Sequence, residues 1–178
     1  PYNNSQWNNW NINSGLTSQL LKYEDQTTST VRISLSDQAG LADNGSNYAQ
    51  SASIVAPAVL RHNSYNTSNR IITVSGLTPG KSYNMQFFAS RANSGNRTVV
   101  QWGHNLETIN TDHNVNDYAN LYNLIADGSG KLYLDLYRLG TYNYLAGIIL
   151  TESSQRPADF SQIPGPSVEG AVSIQQDI

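Results

Sequence analysis

Apolar residues in this chain return at every second position far more often than at every third or fourth, the spacing of half-buried strands rather than helices. Val31, Ile33 and Leu35 alternate with Arg32, Ser34 and Ser36. Tyr83, Met85, Phe87 and Ala89 fall on one side of a second run. Leu132, Leu134 and Leu136 alternate with Tyr133, Asp135 and Tyr137 in a third, and a last apolar run extends from Tyr144 to Leu150. A strand of this kind has one apolar side to bury, so the pattern calls for a second sheet facing the first.

Turn-forming residues separate these runs at short intervals. Gly76-Leu77-Thr78-Pro79-Gly80, Asn93-Ser94-Gly95-Asn96 and Asp127-Gly128-Ser129-Gly130 each read as a hairpin-like connection. No long helical stretch intervenes, so an all-β, antiparallel β-sandwich is expected rather than alternating strands and helices. Leu16 to Lys22 is the one segment patterned for a short helix. Beyond Glu152 the character changes to Ser153-Ser154-Gln155-Arg156-Pro157 and then Pro164-Gly165-Pro166. The β-sandwich body is therefore expected at 5–153, with 154–178 a linker or C-terminal strap. Together with the opening Pro1-Tyr2-Asn3-Asn4, this reads as a module with covalently linked neighbouring domains.

Composition narrows the setting. Of 178 residues only 13% are charged, against roughly 25% in ordinary soluble domains. Hydroxyls and amides therefore make up most of the polar surface, which points to a secreted or cell-surface protein. A net charge of −3 offers no footprint for nucleic acid, whose phosphates require clustered Lys and Arg. No apolar stretch approaches the length of a membrane-spanning helix. With no cysteine there is no disulfide, no thiolate nucleophile and no Cys-based zinc site.

Two sets of residues carry a resemblance. The segment Ile72-Thr73-Val74-Ser75-Gly76-Leu77-Thr78-Pro79-Gly80-Lys81-Ser82-Tyr83 resembles a strand, turn and tyrosine signature of fibronectin type III and related sandwich modules. Trp7-Asn8-Asn9-Trp10, Phe87-Phe88-Ala89-Ser90-Arg91 with Gly95-Asn96-Arg97-Thr98, and Asn143-Tyr144-Leu145-Ala146-Gly147 form a longer pattern. It is similar to secreted accessory domains of Bacteroidetes-type bacteria that resemble galactose-binding-like jelly rolls. The likeness covers most of 5–152 and implies a jelly-roll sandwich of eight to ten strands, secretion and glycan binding.

For glycan binding the first candidates are Trp7, Trp10 and Trp102, since an indole face stacks on the C–H face of a pyranose. Each could equally plug an end of the sandwich. Arg91 and Arg97 flank a turn and could donate forked hydrogen bonds to a diol or an acidic sugar, or Arg91 could pair with Asp135 or Glu152 instead. Asn96, His104 and Tyr142 complete the candidate ligand-binding set. Tyr133, Tyr137, Tyr142 and Tyr144 could form an aromatic platform, or Tyr133 and Tyr137 could face solvent from the polar side of a strand.

Asp112, Asn114, Asn116 and Asp117 space their oxygens as a calcium loop does, without the Gly and distant Glu of an EF-hand. The alternative is a set of Asx turns. Catalytic signals are thin: no HExxH, no G-x-S-x-G, and only a triad assembled on paper from Ser90 or Ser94, His104 and an Asp. The sequence thus favours a non-catalytic carbohydrate-binding module acting on a polysaccharide or oligosaccharide. A structural or adhesion spacer comes second and a hydrolase last.

Overall fold

The computed structural model describes Trp7, Asn8, Trp10 and residues 19–92 and 95–153. In chain order its elements are β1 Gln19–Lys22, β2 Thr28–Leu35, β3 Gly40–Asp43, α1 Pro57–Arg61, β4 His62–Asn66, β5 Arg70–Ser75 and β6 Ser82–Phe88. They continue with β7 Arg97–Trp102, β8 Asn105–Asn110, β9 Ala119–Ile125, β10 Leu132–Leu139, β11 Asn143–Leu145 and β12 Gly147–Glu152. The described residues thus hold twelve strands, more than the eight to ten expected. They form a six-stranded sheet ordered β1-β2-β5-β10-β7-β8 and two three-stranded sheets, β11-β4-β3 and β12-β6-β9. Every strand pair is antiparallel.

The alternation read from the sequence marks the inward faces. Ile33 and Leu35 of β2, Ile72 and Val74 of β5, and Leu132, Leu134 and Leu136 of β10 bury against Met85 and Phe87 of β6 and Leu121 and Leu124 of β9. Ala42, Tyr144 and Leu145 bring the third sheet into the same core. The result is an all-β sandwich.

The three turn segments do not close hairpins. Gly76 to Gly80 joins β5 of the six-stranded sheet to β6 of another, and the connections 89–96 and 126–131 likewise pass between sheets. Periodicity reports a strand's face and not its partner, so a tight turn looks the same whether the chain folds back or crosses over. The crossing after β5 is fixed by local contacts. Leu77 enters the core, and the Tyr83 hydroxyl accepts the Thr78 N–H at 3.0 Å. The two-residue turn Gly103-His104 does make a hairpin, between β7 and β8.

Two other expectations change. Within the predicted helix Leu16–Lys22, Gln19–Lys22 is strand β1, because pairing with β2 and burial of Leu21 outweigh local pattern; the segment 16–18 lies outside the described residues. The one described helix is Pro57–Arg61, which begins on a proline preset to helical φ and buries Val59 and Leu60. The last apolar run divides at Ala146. Its first part, β11, pairs with β4, whereas β12 pairs with β6, and the Ala146 N–H donates to Phe88 O at 2.7 Å at the switch. The expected strap, 154–178, lies outside the described residues.

A charge sits inside this core. Arg70, 1% exposed, donates Nε–H to Asn143 Oδ1 at 2.6 Å, Nη1 to Ser64 Oγ at 3.0 Å and Nη2 to the Asn143 carbonyl at 3.4 Å. It bolts β5 to β4 and β11 across the sandwich. All three partners are neutral, and burial pushes the guanidinium pKa down to about 10.

Candidate functional site

At the edge where β4 and β11 pair, three tyrosines gather. Tyr65 and Tyr144 stand opposite each other in register, so their side chains share a face. Tyr65 is also opposite Gly40 of β3, and its ring lies where a Cβ on that glycine would stand, 3.0 Å from the hydroxyl. A side chain at position 40 would therefore push this ring away. Tyr142 meets Tyr65 edge-on, at 5.5 Å and 86°, and lies 5.9 Å from Tyr144. Tyr144 is buried, while Tyr65 and Tyr142 are half-buried against the core and keep part of their rings in solvent.

Two of the three, Tyr144 and Tyr142, are held by side chains that bond their backbone. The Thr98 hydroxyl accepts the Tyr144 N–H at 2.8 Å and donates to its carbonyl at 3.0 Å. Asn96 is buried, and its Oδ1 accepts the Thr141 and Tyr142 N–H groups at 2.7 and 3.0 Å. Asn96 thus acts on the site by shaping the turn before Tyr142. Replacing it with alanine leaves both N–H groups unsatisfied, and an expected loss of about 1–3 kcal/mol should appear in urea unfolding. An unchanged midpoint would remove this role.

Arg91 borders the cluster. Its Nη1 donates to Asn44 Oδ1 at 2.5 Å and to the Asp43 carbonyl at 3.2 Å. It also touches the Tyr144 hydroxyl, whose pKa burial raises while Arg91 pulls it the other way. Neither acid named in the sequence reading is its partner. Glu152 pairs with Lys81 at 2.7 Å, and Asp135 lies on β10 opposite Ile71 and Gln101. Behind Arg91, Asp43 is gripped by Arg61 through two bonds of 2.8 Å, which hold its carboxyl well below the usual range.

The other candidates lie elsewhere. Arg97 opens β7 with its side chain exposed, whereas Trp102 ends β7 and His104 occupies the hairpin turn. A strand of this length puts about 17 Å between Arg97 and Trp102. Trp102 and Trp10 are half-buried and pack against the core, and the Trp10 indole N–H is buried with no hydrogen-bond partner among the described residues. Trp7 comes together with Val59 and Phe88 over Gly147, where a Cβ would lie 2.7, 3.5 and 3.7 Å from Val59, Trp7 and Phe88.

No family model and no curated relative matches the chain. It is similar to the solved structure of TmCBM61 in complex with beta-1,4-galactotriose. The two share 14% identity at a TM-score of 0.36, over 70% of this chain and 90% of that one.

In the loop expected to suit calcium, the Asn114 and Asp117 side chains hydrogen-bond backbone groups. Asn114 is buried, accepts the Asn116 and Asp117 N–H groups at 3.2 and 2.8 Å, and donates to the carbonyls of Ala89 and Asp117. Asp117 Oδ2 accepts the Asn110 N–H at 3.2 Å, and Asp112 lies 2.9 Å from His113 Nδ1. Among the described residues no three His, Asp or Glu side chains converge. Nor does the paper triad assemble: Ser90 is buried with its hydroxyl on Tyr48, on the opposite end of β7 from His104, and Ser94 lies outside the described residues. No described helix is long and apolar enough to cross a membrane.

Sequence reasoning missed Tyr65. It sits in His62-Asn63-Ser64-Tyr65-Asn66, a strand with no apolar alternation to announce it.

Proposed function

We propose that this domain is a non-catalytic carbohydrate-binding module of a secreted or cell-surface protein, binding an oligosaccharide or polysaccharide at the Tyr65–Tyr142 edge. The observation that carries this reading is the pair of partly exposed tyrosine rings, Tyr65 and Tyr142, meeting at 86° in a cluster whose third member, Tyr144, borders Arg91. A tyrosine offers an apolar face to sugar C–H groups and a hydroxyl to sugar oxygens. Rigid placement keeps the entropy lost on binding small. With so few contacts, affinities of about 4–8 kcal/mol, millimolar to micromolar, are expected.

Affinity electrophoresis through gels cast with neutral polysaccharides tests this. Tyr142→Ala and Tyr65→Ala should each weaken retardation about tenfold or more, as truncating a central aromatic contact does. Equal retardation of both variants and wild type would remove this edge as the site. The spacer reading is favoured by one observation, the packing of Trp7, Trp10 and Trp102 into the body of the domain. It expects no retardation of the wild type on any glycan.

A further inference from the structure

Asn44-Gly45 is the one Asn-Gly pair in the chain. It follows β3 directly, with Asn44 half-buried and Gly45 exposed at φ 92°. A glycine has no Cβ to shield its backbone nitrogen, so the asparagine before it is the one most prone to lose its amide. The step is intramolecular. The Gly45 nitrogen gives up its proton and bonds to Asn44 Cγ, the Cγ–Nδ2 bond breaks, and ammonia departs from a five-membered imide. Water then opens the imide to aspartate or isoaspartate at position 44.

The fold engages every polar atom in that step. Asn44 Nδ2 donates to the carbonyls of Leu60 and Ser90, both at 3.0 Å. Its Oδ1 accepts Arg91 Nη1 at 2.5 Å and the Ala92 N–H at 3.2 Å. All four hydrogen-bonding positions of the amide are thereby filled. The Asn44 N–H donates to the Arg61 carbonyl at 2.9 Å, and the Gly45 N–H donates to Asp43 Oδ1 at 2.8 Å. We infer that Asn44 is a latent deamidation site, which these hydrogen bonds hold shut in the folded domain and which reacts only when the corner after β3 opens.

Two opposite effects meet here. A pair of donors on Oδ1 is what stabilises the oxyanion of a tetrahedral intermediate, and by itself it would hasten attack. The other contacts oppose the reaction. Departure of Nδ2 as ammonia breaks its bonds to Leu60 and Ser90 and leaves two carbonyls without that donor. The group that receives the Gly45 N–H is the Asp43 carboxylate, which Arg61 holds well below the usual range through two bonds of 2.8 Å. Such a carboxylate is too weak a base to take the proton from an amide at neutral pH. A held amide, a tied nucleophile and a weak base outweigh the polarised carbonyl. Opening removes all of these restraints at once. Conversion also gives Arg91 a carboxylate partner where it borders Tyr144.

The experiment follows conversion at position 44 by mass spectrometry of the peptide that spans it, in the full chain at neutral pH, folded and in urea. Conversion in urea should be about tenfold faster or more than in the folded chain, since only the open state reacts. Arg91→Met and Asp43→Ala each remove one restraint, and each should speed conversion in the folded chain, with thermal melting used to show that the variant is still folded. Gly45→Ala should slow conversion in urea. Equal rates in the folded and unfolded chain overturn the inference, and so does an amide that survives in urea. Slower conversion in Arg91→Met or Asp43→Ala overturns it as well, because the donor on Oδ1 or the Asp43 carboxylate would then be assisting the reaction. Should a variant fail to fold, the comparison of wild type with itself in urea still decides.

Discussion

Alanine in place of Arg70 should lower stability by about 3 kcal/mol, whereas methionine there should leave the protein within about 1 kcal/mol of wild type. Three terms compete. Deleting a long buried side chain costs about 2–5 kcal/mol in lost packing and cavity. Stranding Asn143 Oδ1, which receives Nε–H at 2.6 Å, costs about 1–3 kcal/mol more. Against these stands the penalty for burying a charge among neutral partners. A pKa pushed down to about 10 places it at roughly 3 kcal/mol. Alanine keeps both costs and recovers only the penalty; methionine fills the volume, so the stranded acceptor and the recovered penalty nearly cancel.

The sign with pH follows from the same shift. The folded protein releases the Arg70 proton more readily than the unfolded chain does, so the penalty is complete below about pH 10 and fades as pH rises through that value. Wild type should therefore gain on Arg70→Met above about pH 10. Thermal and urea unfolding of both variants decide the matter, with roughly 10 °C expected between wild type and Arg70→Ala. Equal damage from both substitutions would mean that the three hydrogen bonds outweigh desolvation.

Gly76→Ala should be at least as severe, at about 3 kcal/mol or more, or should abolish folding. Gly76 lies at φ 75°, and a Cβ there would stand 2.0 Å from the Thr30 carbonyl oxygen and 2.7 Å from its carbon. The obstacle is backbone, already tied to this turn by the Thr30 hydroxyl donating to Gly76 O at 2.7 Å. To make room, β2 would have to part from β5 at the point where Arg32 pairs with Ser75. Gly80 is the control. Its φ of 71° is nearly the same, but a Cβ there has nothing within 4 Å. Gly80→Ala should cost only the left-handed backbone term, about 1–2 kcal/mol. Similar losses at the two positions would show that conformation, not close approach, sets the requirement.

The candidate site was legible only in fragments. Tyr142 and Arg91 were marked because aromatic and guanidinium groups in a polar stretch have obvious uses. Arg91 is nonetheless partnered by Asn44 and the Asp43 carbonyl, groups 47 and 48 positions away in sequence, and no local pattern relates them. Asn96, a candidate ligand-binding residue in the sequence, holds the turn before Tyr142 through its Oδ1, a role no local pattern announces. The tryptophans were chosen for their polar surroundings in sequence. Those neighbours say nothing of what the chain lays across a ring, and Trp7 meets Val59 and Phe88.

By itself the sequence determined the fold class and the buried face of each long strand. In β2, β6 and β10 a residue's side is set by its position in an alternating series, and period two survives whatever the strand pairs with. Partnership was decided only in three dimensions. Turns read as hairpins became crossings between sheets, one apolar run was divided between β4 and β6, and Tyr65 joined Tyr142 and Tyr144 from almost eighty residues away. These outcomes depend on which buried surfaces fit together, a property of pairs of segments that no single stretch of chain contains.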